Sequence, residues 1–242
     1  MKLETIYEDD NLIAFNKPSG LLSIPDRFKA EIPNLYRMAQ AKYEGIIPVH
    51  RLDKDTSGVI IYAKNEVSHK YLSQLFEDRE VEKFYCALVN GRLINQSGSI
   101  IQPIAENTVR KGTMVVNKRG KAAHTDYKVL KEWSQYSFLE LQIHTGRTHQ
   151  IRVHLQYLGH PVVADPVYSN GKPIFISELK KTFNNSDPLG EERPILGRMA
   201  LHSSTLRFKD QNGQEMKIEA PLPKDMEATI KQLEKWAGKV KK

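Results

Sequence analysis

The stretch His50-Arg51-Leu52-Asp53-Lys54-Asp55-Thr56-Ser57-Gly58 runs directly into Val59-Ile60-Ile61-Tyr62-Ala63. The second part is a short apolar run rich in β-branched residues, and such a run between a glycine and polar residues predicts a buried strand. Asp55-Thr56-Ser57-Gly58 is typical of a turn, because side-chain oxygens cap backbone N–H groups and a glycine ends a type I turn. The sequence therefore predicts a charged loop anchored by a core strand, where reactive groups are often placed.

Asp53 has two interpretations on local composition alone. As a solvated acid beside Arg51 and Lys54 it would contribute little to stability. As a nucleophile or base held by those cations it would carry chemistry. The local pattern favours the first interpretation, because short motifs match by chance. The choice therefore depends on the rest of the chain.

The composition bounds the class of protein. The 242 residues include 36 Lys and Arg against 29 Asp and Glu, a net charge of +7. This moderate excess permits a polyanionic partner. A single cysteine, Cys86, excludes an internal disulfide and fits a reducing compartment. The start of the chain is not typical of a signal peptide and no apolar run reaches membrane length, so a soluble cytoplasmic protein without an obligatory protein partner is predicted.

Hydrophobic periodicity predicts helices scattered among hairpin-like strands. The predicted strands cover residues 4–16, 59–63, 82–91, 123–131, 137–144, 201–208 and 215–219. The predicted helices are one capped by Asn34, one with the apolar stripe Val67, Tyr71, Leu72, Leu75 and Phe76, one with the stripe Ile151, Leu155 and Leu158, and one from about Asp225. This order predicts an α+β fold with a mixed, mostly antiparallel central sheet and flanking helices, in a single domain over residues 1–242.

A basic segment runs from Arg110 to Lys121, after the predicted strand at residues 82–91. It contains no acid, and its cations are Arg110, Lys111, Lys118, Arg119 and Lys121. A charge run of this kind is usually a solvated face. A two-stranded basic flap that grips phosphates is the functional alternative. Composition does not separate these two interpretations.

Tyr85 and Arg147 are further candidates whose surroundings leave their roles open. A tyrosine within a strand is most often a core aromatic residue. Arg147 precedes a predicted helix, and a helix N-terminus favours a nearby anion. That anion is either a phosphate or a carboxylate from elsewhere in the fold.

Motifs spread over most of the chain occur in one characteristic order. They are Asn16-Lys17-Pro18-Ser19-Gly20, then His50-Arg51-Leu52-Asp53 with Thr56-Ser57-Gly58, then Lys83-Phe84-Tyr85-Cys86-Ala87, and then Thr145-Gly146-Arg147-Thr148-His149-Gln150-Ile151-Arg152. In this order they resemble the RluA family of pseudouridine synthases. The resemblance covers roughly residues 5–222, and a chance match of so many ordered motifs is implausible.

The resemblance implies an isomerase that converts specific uridines of tRNA or ribosomal RNA to pseudouridine. It implies that Asp53 is the essential catalytic carboxylate, that Tyr85 stacks on the uracil or acts as a base, and that Arg147 pairs with Asp53. It also implies that Arg51 and Lys83 bind the substrate, with Arg51 helping to hold the target base out of the helix. The implied fold has a catalytic cleft in a mostly antiparallel sheet, which agrees with the predicted fold class.

Two further features concern the branch of the family. Members often carry an S4-type RNA-binding module before the catalytic domain, and this sequence resembles the compact branch without one. The basic segment then becomes the expected grip on the RNA backbone. Ser169 stands where a glycine is usual, and Lys209-Asp210 where His-Pro is frequent. These departures bear on substrate choice and local turns, since they lie outside the catalytic motifs.

Three other classes of protein are alternatives to the isomerase: a metal enzyme, a serine hydrolase and a non-catalytic RNA-binding protein. The histidines His144, His149, His154 and His160 lack the helical spacing of three or four residues that metal ligands need. Thr56-Ser57-Gly58 lacks the preceding glycine of a hydrolase nucleophile elbow. A non-catalytic RNA-binding protein or RNA chaperone with the same fold remains the serious alternative. No metal or cofactor is expected, because isomerisation changes no oxidation state.

Overall fold

A computed structural model describes residues 3–29, 31–180 and 191–237. Its internal contacts divide the chain into two compact units. The first contains Met1–Tyr85, Gln142–Thr145 and His202–Pro221, and the second contains Cys86–Leu141, Gly146–Leu201 and Leu222–Lys242. Neither unit is a continuous segment, because the chain passes between them several times. The prediction of a single domain over residues 1–242 stays a prediction.

The described elements are strands with a few helices between them. The strands are Thr5–Glu8 (β1), Leu12–Lys17 (β2), Ile47–Pro48 (β3), Ser57–Ala63 (β4), Glu82–Asn90 (β5), Ser97–Ile101 (β6), Ile104–Glu106 (β7), Met114–Val116 (β8), His124–Glu132 (β9), Tyr136–Ile143 (β10), Leu201–Lys209 (β11) and Glu215–Glu219 (β12). The helices are Leu35–Gln40 (α1), Glu66–Glu77 (α2), Gln150–Tyr157 (α3), Ile176–Leu179 (α4) and Lys224–Trp236 (α5). The α+β class and the mostly antiparallel pairing are confirmed.

In the first unit, strand β4 lies between neighbours on both sides. The strand order is β1-β2-β4-β11, with β12 on β11 and β3 on β4. Every residue of β4 is buried, as its unbroken apolar sequence predicts. The pairing of β4 with β2 is antiparallel, whereas β4 and β11 run parallel with His202 opposite Ser57 and Ser203 opposite Gly58. The beginning of β4 is thereby fixed against β11.

Helix α2 packs on this sheet through a stripe that differs from the predicted one. Its buried residues are Ser68, Leu72 and Leu75, whereas Val67 is 71% exposed. The spacing of four and then three residues keeps Ser68 on the face of the two leucines, and Val67 lies about 100° around the helix from Ser68. The placement of Val67 on the apolar stripe was therefore wrong, although the helix itself is confirmed.

The first predicted strand is also corrected. Residues 4–16 form two antiparallel strands, β1 and β2, instead of one extended segment. The turn between them is made by Asp9, whose carboxylate accepts hydrogen bonds from the N–H groups of Asn11 and Leu12, each at 2.8 Å. Aspartate caps turns in this way, and the sequence analysis did not use that signal.

The second unit contains most of the strands β5, β10, β9 and β6, which are neighbours in this order, and the separate two-stranded sheet of β7 and β8. Residues Ile104, Ala123, Val153 and Tyr168 form a small apolar cluster between these elements and α3. The C-terminal helix α5 buries Met226, Thr229, Ile230 and Leu233 on one face, as its periodicity predicts. In the parts of the chain that the structure describes, no helix is both long and apolar enough to span a bilayer.

Candidate active site

The loop that carries Asp53 is held by its backbone. The hydroxyl of Ser23 donates to the Leu52 carbonyl at 2.8 Å and accepts from the Leu52 N–H at 3.0 Å. The Ser19 hydroxyl donates to the carbonyl of Asp55 at 2.7 Å. The Asp53 carbonyl accepts from the N–H of Thr56 at 3.2 Å. The backbone on both sides of Asp53 is therefore anchored to the turn at residues 17–23.

Lys17 is the central donor of this anchoring. Its side chain is fully buried, and its ammonium group donates to the carbonyls of Pro18, Leu21 and Lys54 at 3.1, 2.7 and 2.9 Å. The Lys54 carbonyl accepts a second bond from the Gly20 N–H at 2.9 Å. A buried ammonium group is tolerated where polar partners replace its hydration. The sequence analysis placed Lys17 in a family motif but did not predict this role.

Replacing Lys17 by methionine is expected to destabilise the first unit and to misplace Asp53. The change keeps the apolar stem but removes a charged donor from three carbonyls, so the free energy of unfolding should fall by about 3 kcal/mol. Loss of the anchor on Lys54 should lower kcat by about 10-fold to 100-fold with little change in KM. Urea unfolding and steady-state kinetics well below the melting temperature measure the two effects.

The matched control is Lys70→Met, because Lys70 is an exposed lysine of α2 in the same unit. That variant should differ from the parent by less than about 0.5 kcal/mol. Parent-like stability and kcat in Lys17→Met would mean that the Asp53 loop holds its position without this donor.

Tyr85 lies on β5, close enough to Asp53 for the charge of that carboxylate to act on its phenol. Burial raises the pKa of its phenol well above the usual range, and the charge of the Asp53 carboxylate raises it further. The neighbouring Ser203 hydroxyl has the opposite effect and lowers this pKa. Tyr85 is therefore a neutral phenol at physiological pH, and it can take up a proton only after giving its own to another group.

Lys83 precedes Tyr85 by two residues on β5, so both side chains point to the same face of the strand. Its side chain is mostly buried, with the ammonium nitrogen 5.8 Å from the ring centre of Phe76. Burial lowers the pKa of Lys83, and the positive charge of Arg79 lowers it further. The proposed binding of substrate by Lys83 stays a prediction.

His50 fixes the other end of the loop to strand β4. Its Nε2 accepts a hydrogen bond from the Ile61 N–H at 3.1 Å, so the proton of the neutral ring is on Nδ1. The ring stacks on Phe76 with centroids 4.5 Å apart. Burial and the nearby Lys83 charge lower its pKa to about 3. His50 is therefore a neutral structural acceptor at physiological pH.

This histidine should make the fold acid-sensitive. The unfolded chain binds a proton at His50 near pH 6.5 whereas the folded chain does not, so its contribution is fully present above that pH and declines as the pH falls toward 3. Because His50 is partly exposed, screening reduces the effect, and we expect about 1 kcal/mol to be lost between pH 7 and pH 5.

The comparison that isolates this effect uses His50→Gln, whose amide oxygen offers the Ile61 N–H an acceptor that does not titrate. The free energy of unfolding of both proteins is measured at pH 7 and pH 5. The parent should lose about 1 kcal/mol more than the variant. Equal losses in the two proteins would show that His50 is not the source of the sensitivity.

His202 joins the strands beneath the loop, and its role was missed in the sequence analysis. It is fully buried, with Nε2 3.3 Å from the Ala220 carbonyl and Nδ1 3.0 Å from the Ser57 hydroxyl. A carbonyl only accepts, so Nε2 carries the proton and the Ser57 hydroxyl donates to Nδ1. His202 thereby links the beginnings of β4 and β11 to the end of β12.

Arg147 lies in the second unit, immediately before helix α3. Its Nε donates to the Ala122 carbonyl at 3.0 Å, and its N–H donates to the side-chain oxygen of Gln150 at 3.1 Å. Helix α3 begins at Gln150 after His149, whose φ of 55° turns the chain into the helix. The predicted position of Arg147 near a helix N-terminus is confirmed. Its pairing with Asp53 stays a prediction.

The basic segment forms part of a two-stranded flap, as the functional alternative predicts, but its cations lie outside the strands. Arg110 and Lys111 occupy the turn between β7 and β8, and Lys118, Arg119 and Lys121 follow β8. All five side chains are exposed. The base of the flap is closed by mutual backbone bonds between Ile104 and Lys121 at 2.8 and 2.9 Å. The cations are therefore presented to solvent on turns of fixed backbone.

The flap is tied to the segment before α3 through Tyr168. The Tyr168 hydroxyl accepts from the Met114 N–H at 2.7 Å and lies 2.8 Å from Nδ1 of His149. Tyr168 is itself positioned by Asp165, whose carboxylate accepts its N–H at 3.0 Å and forms a buried ion pair with Arg152 at 2.7 Å. This network was not predicted, because its members are separated in the sequence.

The chain is similar to known proteins in both sequence and structure. Residues 11–157, which include Asp53, Tyr85 and Arg147, match the sequence model of the RNA pseudouridylate synthase family. The ribosomal large subunit pseudouridine synthase D of Blochmanniella floridana is 36% identical over 243 residues, which cover 97% of this chain and 74% of that protein. The protein of the same name from Escherichia coli is 34% identical over 240 residues, covering 93% and 68%.

A solved structure shows the same likeness. The human RNA pseudouridylate synthase domain containing 4 aligns with a TM-score of 0.72 and 29% sequence identity, over 96% of this chain and 93% of that one. The sequence and structural matches therefore extend over nearly the whole chain.

Proposed function

The chain belongs to the RluA family of RNA pseudouridine synthases, and on that premise we propose that its substrate is a uridine of large-subunit ribosomal RNA, with Asp53 as the essential carboxylate. Members of this family are isomerases. The reaction breaks the bond between N1 of uracil and C1′ of ribose and forms a bond between C5 and C1′. C5 loses a proton and N1 gains one, so the composition of the RNA is unchanged.

The observation that carries the proposal is the backbone anchoring of the Asp53 loop, together with the effect of the Asp53 charge on the buried Tyr85. Breaking the glycosidic bond develops positive charge at C1′, and a preorganised carboxylate stabilises that charge or attacks the carbon. The backbone anchors from Ser19, Ser23 and Lys17 support such preorganisation. Attack at C1′, attack at C6 of the base and proton removal at C2′ are each compatible with a carboxylate in this place.

Tyr85 is the proposed platform for the detached uracil. A neutral, buried phenol offers an apolar ring face for stacking and a hydroxyl that donates a hydrogen bond. Stacking would keep the base in the pocket while it turns from N1 to C5. To take the C5 proton as a base, Tyr85 would first have to lose its own proton, and the raised pKa of its phenol opposes that loss.

The remaining residues are proposed to hold the RNA. The target base must leave its stack, which costs a few kcal/mol, and contacts to the backbone can offset that cost. Exposed Arg51 is suited to holding the target nucleotide in its flipped state, with Lys83 as a further contact. Arg147 is proposed to pair with Asp53. The exposed cations of the flap are proposed to bind phosphates on either side of the site.

Ribosomal RNA is favoured over tRNA by the names of relatives that match nearly the whole chain. The proteins from Blochmanniella floridana and Escherichia coli are both named for the ribosomal large subunit. Ribosomal RNA as substrate also implies a cytoplasmic location, consistent with the single cysteine.

The test is tritium release from RNA labelled at C5 of uridine, because formation of the new C–C bond expels that atom. Unmodified transcripts of large-subunit ribosomal RNA and of tRNA are incubated separately with the protein. Release from ribosomal RNA is the expected result. Release from tRNA alone would overturn the choice of substrate. Binding of both RNAs in a mobility-shift assay without release from either would favour the non-catalytic alternative.

A further inference from the structure

A cavity of about 300 Å³ lies in the first unit beside the Asp53 loop. One wall is the segment from Leu22 to Phe28 and the other is Arg51 with Leu52. The second wall ends one residue before Asp53. Ser23 and Leu52 anchor the Asp53 loop and Arg51 is a proposed RNA contact, whereas the segment from Ile24 to Phe28 has no role in the proposed chemistry.

The floor of this cavity is rigid. Ser23 is bonded in both directions to the backbone of Leu52, and its carbonyl accepts from the buried Tyr62 hydroxyl at 2.8 Å. The Leu22 carbonyl accepts from the N–H of Leu35 at 2.8 Å. The two walls therefore keep a fixed spacing, set by the elements that also fix the Asp53 loop.

The rim presents an aromatic ring to solvent. Phe28 is 90% exposed, although its ring is large and apolar. The Asp26 carboxylate accepts from the N–H groups of Phe28 and Lys29, each at 2.9 Å, and these bonds shape the turn. An exposed aromatic side chain on a shaped turn is typical of a stacking platform.

The lining of the cavity carries two cations and one acid. Arg27 and Arg51 are exposed and line it together with Asp26, whereas Lys29 and Glu31 follow on the same segment outside the lining. Proteins bind single-stranded nucleic acid by combining aromatic platforms with cations that contact the backbone. Aromatic and cationic groups occur here together, which favours a nucleotide over a purely apolar occupant.

We propose that this cavity binds the nucleotide adjacent to the target uridine, with its base stacked on Phe28 and its phosphate held by Arg27 and Arg51. This inference rests on the proposed function. One residue separates Arg51 from Asp53, so their Cα atoms lie within about 7 Å, a distance comparable to one nucleotide step. The cavity would make the enzyme sensitive to the sequence next to its target, since bases differ in stacking.

The kinetic test replaces Phe28. Phe28→Ala should lower kcat/KM for the RNA substrate by about 10-fold, mainly through KM, because base stacking on an aromatic ring is lost. Phe28→Tyr keeps the ring and should recover most of the parent value. Ile94→Ala is the matched control, since Ile94 is an equally exposed apolar residue of the second unit, and it should match the parent.

A binding readout separates this inference from the proposed function. Phe28→Trp is made in the Asp53→Asn background, and its fluorescence is followed while single-stranded RNA is added. Quenching beyond that of the Asp53→Asn protein alone supports stacking at this position, even if no RNA proves to be a substrate. Absence of extra quenching overturns the inference. So does a Phe28→Ala kcat/KM within twofold of the parent, or a Phe28→Tyr variant as impaired as Phe28→Ala.

Discussion

Replacing Asp53 by asparagine should reduce tritium release by at least about 10⁴-fold, as removal of a group essential to a covalent mechanism does. The substitution keeps the shape of the side chain and removes its charge. The carbonyls and N–H groups that position the loop belong to the backbone and to other side chains, so the loop should keep its conformation. The loss should appear in kcat, with RNA binding and thermal unfolding close to those of the parent.

Asp55→Asn is the matched control for this prediction. Asp55 lies on the same loop and is also anchored through its carbonyl, by Ser19 at 2.7 Å. Its variant removes the same charge two residues away and should keep activity within about threefold of the parent. An Asp53→Asn protein that keeps a tenth of the parent activity would remove Asp53 from the chemistry, and equal losses in both variants would point to a general effect of loop charge.

Replacing Gly58 by alanine should have the largest effect on stability. Gly58 has a φ of +114°, in a region that side chains rarely adopt, and an added Cβ would overlap the backbone carbonyl of Ser203. The position of the new Cβ is set by the Gly58 backbone and the carbonyl belongs to the Ser203 backbone, so neither atom can move without opening the parallel pair of β4 and β11. We expect the free energy of unfolding to fall by more than about 4 kcal/mol, and the melting temperature by at least about 10 °C.

Gly213→Ala separates the overlap from the backbone conformation. Gly213 also has a positive φ, +79°, but lies in the turn before β12 with open space around its Cα. Its replacement should cost about 1 kcal/mol, the ordinary penalty of a left-handed conformation. Thermal and urea unfolding of the two variants measure the difference. Equal destabilisation would mean that the close approach of Ser203 relaxes at little cost.

Features encoded by neighbouring residues were predictable. The apolar run of β4, the Asn34 cap of α1 and the amphipathic face of α5 each follow from short-range patterns, and the structure has them. Strand β6 was missed, because Ser97–Ile101 begins with small polar residues and its stability comes from pairing with β9. Local propensity carries little information about such a strand.

The candidate site likewise has features that could be predicted from the sequence and features that could not. The motif that contains Asp53 was visible in the sequence, and the loop prediction followed from Thr56, Ser57 and Gly58. The anchors of that loop were not visible, because Lys17 lies 37 residues from the carbonyl of Lys54 and His202 lies 145 residues from Ser57. Their roles depend on pairings between distant segments, which only tertiary structure establishes.

Because Lys17 donates only to main-chain carbonyls in this network, the sequence around Asp53 can differ among relatives. Lys17 contacts Pro18, Leu21 and Lys54 through main-chain oxygen atoms, which every amino acid supplies. The bonds from Lys17 therefore make no demand on the side chains of its acceptors, although packing still constrains the buried Leu21. Lys54 projects its side chain outward while its carbonyl stays bound. New RNA targets can thus be acquired by substitutions directly beside Asp53 without disturbing the carboxylate.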